Sequence, residues 1–266
     1  MKKNRPKVTA PDTAMQISSM QEANETAPAQ PYLIPRHIHL CETGNQVIFL
    51  DLRRDKYLAI GRAEREALSG VVNGWPADIN VPASPETLQR RTTVAQSMLK
   101  LGLLTADARA GKQAAHPVVD VAREVLVDDD FERRVDIRAG HVAAFLFACA
   151  CAKFWLRWRA FEQVIESARR RRAKSLERGV AFDLDRSRDL VAIFDRLRPF
   201  VFTSKDACLF DSLALIEFLA LHGIYPAWLL GVQAQPFGAH SWVQHQQFVF
   251  NGTVEYVRRF TPILAV

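Results

Sequence analysis

Three short runs of mostly apolar residues lie near the amino terminus, and polar turn residues separate the runs. The runs cover residues 37–41, 46–50 and 56–60. Short runs of this kind between turns are typical of β-strands. Two stretches with helical spacing follow, at 63–72 and 85–100, and Gly102 ends the second. Three strands followed by helices predict a small winged-helix-like domain over residues 31–105.

Two long apolar stretches dominate the carboxyl-terminal half of the chain. Residues 139–152 are fewer than the roughly 20 that span a bilayer, so they predict a buried helix. Residues 209–221 are apolar on nearly every side and are followed by Gly223, so they predict a second helix that runs through a core. The region 121–266 therefore forms a second predicted domain, which a linker at 106–120 joins to the first.

Cys208 stands at the predicted start of the second buried helix. Residues 203–206 form a capping box, because the Thr203 hydroxyl and the Asp206 carboxylate can satisfy the amides of the first turn. A thiol at the positive end of a helix dipole is favoured in its nucleophilic thiolate form. The alternative is that Cys208 is an ordinary buried cysteine, which packs as a small hydrophobic residue.

His240 enters an apolar strand directly after the turn-like residues 236–239. A histidine at the entrance of a strand is placed to face a cleft. Cys208 and His240 together predict acyl transfer, in which His240 takes the thiol proton, the thiolate attacks a carbonyl carbon and water resolves the thioester. The Cys208 amide is the expected oxyanion donor. His222 and His245 are weaker candidates for the base.

The Cys208 helix, the strand at 240–244 and the carboxyl-terminal residues 260–264 together resemble the B proteins of lasso-peptide biosynthesis. These are bacterial enzymes with a papain-like, transglutaminase-like fold. The resemblance implies an α+β domain whose helical first half precedes an antiparallel sheet. It also implies a cysteine peptidase that removes the leader from a ribosomally made precursor, so that a partner synthetase can close the ring. It carries Cys208 and His240 over as the catalytic pair, with no bound cofactor or metal and with ATP required only through the synthetase.

The third catalytic position departs from the family pattern. Gly252 stands where the family has the aspartate that orients the imidazole. The preceding Asn251 is a candidate for that role, because Cys-His-Asn is a working variant of the triad. Glu255, a water or a backbone carbonyl are other candidates. Asn251-Gly252 is also a strong signal for a tight turn, and in that case the enzyme works as a dyad.

The amino-terminal domain resembles the precursor-recognition domain related to the pyrroloquinoline-quinone D-type peptide chaperone. The resemblance implies that the leader adds as a strand along the third predicted strand. The peptide-binding residues would then be Lys56, Tyr57, Leu58, Ala59 and Ile60. Two alternatives remain open. One is a precursor-binding chaperone without catalysis, and the other is a winged-helix protein that places Arg90 and Arg91 in a major groove.

Composition changes this picture only a little. A chain of 266 residues with 48% hydrophobic content can form two modest cores. Residues 1–30 are polar and lack the apolar core of a signal peptide, so they predict a disordered tail. The four cysteines have no disulfide-framework spacing, which favours a reducing bacterial cytoplasm. The net charge of +6 owes much to the basic run at 169–174, typical of a solvated face. We expect neither nucleic acid nor a membrane as a partner.

Overall fold

The computed structural model describes residues 31–75, 84–127, 135–179, 181–202 and 208–266. These residues form two compact units. The amino-terminal unit lies within 31–51, 56–115 and 234–237, and the carboxyl-terminal unit lies within 52–55, 116–233 and 238–266. The predicted tail at 1–30 and the predicted capping box at 203–206 lie outside the described residues.

The amino-terminal unit is built on a three-stranded antiparallel sheet. The first four strands of the chain are β1 (Ile34–Pro35), which lies outside this sheet, β2 (Ile38–Thr43), β3 (Gln46–Asp51) and β4 (Lys56–Ile60). Strands β2, β3 and β4 pair in that order, which confirms the three predicted strands. Residues 47–50 of the central strand are completely buried, and Val47 and Phe49 belong to the hydrophobic core of this unit.

Two helices complete the core of the amino-terminal unit. Helix α1 (Arg62–Ala67) is shorter than predicted, because the chain turns over residues 68–71. Helix α2 (Pro85–Leu101) begins after Ser84, whose hydroxyl accepts a hydrogen bond from the Thr87 amide, and it ends at Gly102. The buried side chains of α2 join the same hydrophobic cluster as those of β2 and β3, as the three-strand and helix pattern predicts.

A short strand occupies part of the predicted linker at 106–120. Strand β5 (Gly111–Lys112) pairs antiparallel with β1. The approach is close, since a Cβ added at Gly111 would lie 2.5 Å from Leu33 Cβ. Residues 106–115 therefore pack within the amino-terminal unit. A two-residue strand leaves no alternation in the sequence, and the sequence analysis accordingly missed it.

The carboxyl-terminal unit has helices followed by a sheet. Its elements are β6 (Glu124–Val125), α3 (Ala139–Trp158), α4 (Phe161–Glu177), α5 (Leu184–Leu197), α6 (Cys208–Leu221), β7 (Ala227–Gln233), β8 (Gly238–His245), β9 (Phe248–Val249), α7 (Val254–Val257) and β10 (Thr261–Ala265). The sheet order is β10-β7-β8-β9-β6, and every pairing is antiparallel except that of β6 with β9. The predicted α+β class is confirmed, with a parallel edge strand added.

Helix α6 runs through the core, as predicted for residues 209–221. It packs against α3 and β8. Leu213, Leu215 and Phe218 have no exposed surface. The helix ends at Gly223, whose positive φ of 77° lets the Ile224 amide donate back to the Leu219 carbonyl. Because α6 is held on two sides, its first residue, Cys208, has a fixed position.

Helix α3 is longer and less buried than the sequence predicts. It buries Phe145, Ala148, Cys149 and Ala152 on one face. The opposite face leaves several apolar side chains exposed: Leu146 at 50%, Phe147 at 59%, Phe154 at 54% and Trp158 at 71%. The prediction of a wholly buried helix is therefore wrong, because α3 is apolar all around and its neighbours cover one side. Among the described residues, α3 alone has the length and apolar composition to cross a membrane.

Candidate active site

Cys208 is the first residue of α6, and its thiol lies against the backbone of β8. Burial raises the pKa of the Cys208 thiol, and the nearby Asp211 carboxylate acts in the same direction. The backbone amides of Ser241, Leu209 and Cys208 itself oppose this shift in the pKa by hydrogen bonding to the sulfur. Burial outweighs them, so Cys208 is a neutral thiol at neutral pH. Its activation requires a base.

His240 is the third residue of β8 and directly precedes Ser241. Its ring lies among three aromatic side chains, with centroid distances of 5.9 Å to Trp242, 4.9 Å to Tyr256 and 5.1 Å to Phe260. Its Nε2 atom is buried and has no hydrogen-bond partner in the described part of the chain. Burial lowers the pKa of His240 to about 4. The imidazole is therefore neutral at pH 7, and the same burial makes it a weak base.

Hydrogen bonds at Ser241 join β8 to the start of α6 and to β7. The Ser212 hydroxyl donates to the Ser241 carbonyl at 2.8 Å, and Trp228 Nε1 donates to the Ser241 hydroxyl at 2.7 Å. The structure thus brings Cys208 next to the residue that follows His240. Within the described chain, no hydrogen bond joins the Cys208 thiol to the His240 ring. Catalytic hydrogen bonds are often long in unliganded enzymes and shorten when substrate binds.

Asn251 lies in a buried network that does not include His240. Its Oδ1 accepts a hydrogen bond from the Val243 amide at 2.8 Å. Its Nδ2 donates to Asp211 Oδ2 at 2.8 Å and to the Ser212 hydroxyl at 3.1 Å. Both ends of the amide are therefore occupied. The structure does not bring Asn251 to the imidazole that it was predicted to orient, and its contacts fix the bend after β9 to α6.

Gly252 follows in a backbone conformation that excludes most side chains. Its φ is +116°, well inside the region that L residues rarely adopt. Residues 250–252 form bends rather than regular structure. This geometry matches the tight-turn interpretation of Asn251-Gly252. Glu255, the other sequence candidate, lies in α7 and is exposed.

Asp211 is a site residue that the sequence analysis missed. Its carboxylate is buried one turn after Cys208, and burial raises its pKa, while Asn251 and Arg198 oppose the shift. Arg198 Nη1 lies 3.6 Å from Asp211 Oδ1. The sequence did hold a signal for this role. Asp211 is an acidic residue in the first turn of a mostly apolar helix, and a buried charge requires partners. Asp211 raises the pKa of Cys208 and anchors Asn251.

The weaker histidine candidates lie elsewhere in the unit. His222 follows α6 and contacts His141 and Phe218, with centroid distances of 5.9 and 4.9 Å. His245 ends β8 and stacks on Phe182 at 3.5 Å. Neither contacts Cys208 in the described chain. The residues that the structure describes include no cluster of three or more His, Cys, Asp or Glu side chains that would hold a metal ion.

The predicted peptide-binding strand, β4, lies at the end of the strand order in its sheet. It pairs with β3 along its whole length, from Lys56 opposite Asp51 to Ile60 opposite Val47. Lys56 is exposed, Tyr57, Leu58 and Ala59 are half-buried, and Ile60 is buried. An edge strand of this kind has the geometry that strand addition needs. Leader binding itself remains a prediction.

A pH dependence of stability follows from the buried imidazole. The pKa of His240 is about 4 in the folded protein, whereas the ordinary pKa of histidine, which applies to the unfolded chain, is 6.5. As pH falls, the unfolded chain therefore takes up the proton before the folded protein does. The contribution of His240 to the free energy of unfolding should be fully present above pH 6.5 and should decline toward pH 4, by at most ~1.4 kcal/mol per pH unit. Urea unfolding between pH 4.5 and 7.5 measures this slope. We expect His240→Phe to reduce it and the exposed His116→Phe to leave it unchanged; equal slopes would contradict the assignment.

Comparisons with known proteins agree with this architecture. Residues 143–265 match the family described as the transglutaminase-like superfamily. Searches of curated proteins and of solved structures found no match. The matched segment contains both α6 with Cys208 and β8 with His240. This superfamily includes cysteine peptidases and transglutaminases. The carboxyl-terminal unit of the chain is therefore a transglutaminase-like domain, with helices followed by an antiparallel sheet.

Proposed function

We propose that this protein is a bacterial cytoplasmic cysteine peptidase that binds the leader of a ribosomally made lasso-peptide precursor and cleaves it off. The freed core amino terminus would then be closed into a macrolactam by a partner synthetase, which consumes the ATP. One observation carries the proposal: a cysteine begins a buried helix and contacts the amide that follows a buried, neutral histidine. It occurs in a domain whose superfamily includes cysteine peptidases.

The mechanism starts from two neutral groups. As Cys208 Sγ attacks the carbonyl carbon of the last leader residue, its proton moves to His240. The Cys208 amide at the start of α6 is the candidate donor to the oxyanion. The carbon–nitrogen bond then breaks, and the imidazolium gives its proton to the leaving amine. Water attacks the thioester through His240, which releases the leader carboxylate and restores the Cys208 thiol.

The orienting group of the imidazole is the weak part of this site. Asn251 is occupied by Val243, Asp211 and Ser212, and Gly252 carries no side chain. A carboxylate on His240 would favour the imidazolium that forms during attack, and none contacts it in the described chain. We therefore propose a Cys-His dyad that works slowly. A slow site gains from a substrate that is held close to it by a second contact.

Leader recognition is proposed to take place on β4. A peptide that adds to this edge would hydrogen-bond through its backbone and read Tyr57, Leu58 and Ala59 through its side chains. The amide exchange of β4 tests this. We expect the leader to slow the exchange of alternate amides within residues 56–60, measured by NMR, while the amides of β2 at the opposite edge stay unchanged. Equal protection of β2, or none in β4, would contradict strand addition.

The salt dependence of binding separates leader binding from the DNA-binding alternative. Contacts to phosphates weaken steeply as salt rises, because bound counterions are released when the complex forms. Backbone pairing in a sheet has no such dependence. Leader affinity should therefore change by less than about threefold between 50 and 200 mM salt, whereas DNA affinity would fall by about 10³-fold for six phosphate contacts.

The decisive experiment incubates the protein with a lasso precursor encoded beside its gene, with and without the synthetase and ATP. Mass spectrometry should find the free leader and the core in equal amounts. Leader binding without cleavage under both conditions would instead favour a precursor-binding chaperone. That second candidate rests on one observation, which is the occupied Asn251 amide together with the missing hydrogen bond between Cys208 and His240.

A further inference from the structure

A cavity of about 110 Å³ lies at the end of β8 that is remote from His240. Its walls come from the end of α4, the start of α5, the connection between α6 and β7, and the last residue of β8. The side chains that line it include Arg172, Ser175, Phe182, Arg186, Tyr225 and His245. All of them belong to the carboxyl-terminal unit. The cavity is large enough for several water-sized groups and therefore for a small anion.

The two arginines of this cavity differ from their neighbours. In α4, Arg169 and Arg170 pair with Glu166, and Arg171 pairs with Glu217. In contrast, the Arg172 and Arg186 guanidinium groups have no hydrogen bond and no ion pair in the described chain. Arg172 is only half-exposed, and burial lowers its pKa. Arg186, which lines the cavity from α5, is exposed. A partly buried cation such as Arg172 is costly without a counter-charge, and a second cation lines the same cavity, so this arrangement indicates an anion that is supplied from outside.

The two arginines also act on the histidines beside the cavity. Burial lowers the pKa of His245, and the Arg172 charge lowers it further, against a smaller opposing effect of Asp120. Burial likewise lowers the pKa of His222, with contributions from His141 and Arg186. Asp183 also lines the cavity, but one of its carboxylate oxygens accepts the Arg186 amide at 2.9 Å as the cap of α5.

We propose that this cavity binds a small organic phosphate, whose phosphoryl group lies between Arg172 and Arg186. A phosphate monoester carries nearly two negative charges at neutral pH, which two guanidinium groups can match, whereas a carboxylate carries one. Ser175 and Tyr225 add hydroxyl donors. Phe182, stacked on His245, offers an apolar surface for the organic part. The site is distinct from the proposed peptidase centre and does not depend on it.

Phenyl phosphate is a suitable probe, and benzoate is its carboxylate counterpart. Calorimetric titration of the full chain at constant ionic strength should show phenyl phosphate binding that weakens at least about tenfold in Arg172→Gln and in Arg186→Gln. The matched control is Arg170→Gln, which removes the same charge from the same helix outside the cavity and should leave binding unchanged. Thermal unfolding of each variant checks that it is folded.

A second readout is the titration of His245 by NMR. A bound phosphate should raise the pKa of His245, because it offsets the Arg172 charge, and Arg172→Gln should abolish the shift. Equal binding by all variants would show general attraction to a basic protein and overturn the site. If the original protein did not bind phenyl phosphate, the proposed site would also be overturned. Benzoate binding of equal strength, with the same dependence on both arginines, would overturn the phosphate assignment in favour of a carboxylate.

Discussion

Replacing Cys208 with alanine is expected to lower the rate of leader release by at least ~10³-fold, because the substitution removes the only group at the start of α6 that can form a thioester. Alanine preserves the helix start and most of its packing. The remaining reaction would depend on direct attack by water. The measurement is single-turnover cleavage of the precursor, followed by mass spectrometry, with protein in excess.

Cys151→Ala is the matched control for this experiment. Cys151 is likewise a half-buried free cysteine, and it lies in α3. Its removal should leave the cleavage rate within about twofold of the original, because it takes no part in the proposed chemistry. Trapping adds a positive signal, since an acyl-enzyme on Cys208 should be seen by mass spectrometry after rapid acid quenching. Full activity of the Cys208→Ala variant would transfer the reaction to another nucleophile or another protein.

Replacing Asn251 with alanine is expected to destabilise the transglutaminase-like unit by about 3 kcal/mol. The substitution leaves the buried Val243 amide without its acceptor and removes a donor from the buried Asp211 carboxylate. Each unsatisfied buried group costs about 1–3 kcal/mol, and more where it is charged. Urea unfolding followed by tryptophan fluorescence measures the loss.

The exposed Asn45 in the turn between β2 and β3 provides the comparison. Asn45→Ala should change stability by less than about 0.5 kcal/mol. The outcome also decides the catalytic role of Asn251. If Asn251→Ala were as stable as the original protein but cleaved slowly, the amide would act on the imidazole. A loss of stability with the cleavage rate retained below the unfolding transition would establish the structural role.

Much of the fold is visible in the sequence because local patterns agree with the tertiary structure. The apolar run in β3 is bounded by turns and forms the central strand of its sheet, and its residues 47–50 are all buried. Helix α2 carries its own start and stop, with Ser84 before Pro85 and Gly102 at the end. Helix α6 is apolar on every side and is covered on every side. In these elements, local preference and burial select the same structure.

The sequence is a poorer guide where burial depends on distant neighbours. Helix α3 is apolar over most of its length, like α6, but its neighbours cover only one face, and the sequence does not show which face that is. Strands β5 and β6 have two residues each, too few to show a period. In the candidate active site, Cys208 and His240 are predicted from residue type and position, and their catalytic roles stay predictions. The network of Asp211 and Asn251 joins residues that are far apart in the chain and shows only in three dimensions.

The bend at Gly252 also limits how the catalytic site can change. Space is not the obstacle, since a Cβ there would lie 3.7 Å from Val257 Cγ1, an ordinary contact. The obstacle is the φ of +116°, which an aspartate would occupy only under strain. One codon change to aspartate would therefore not supply the orienting carboxylate that the proposed site lacks unless the loop had first been remodelled. An attempt to make the proposed peptidase faster should rebuild residues 250–253 together.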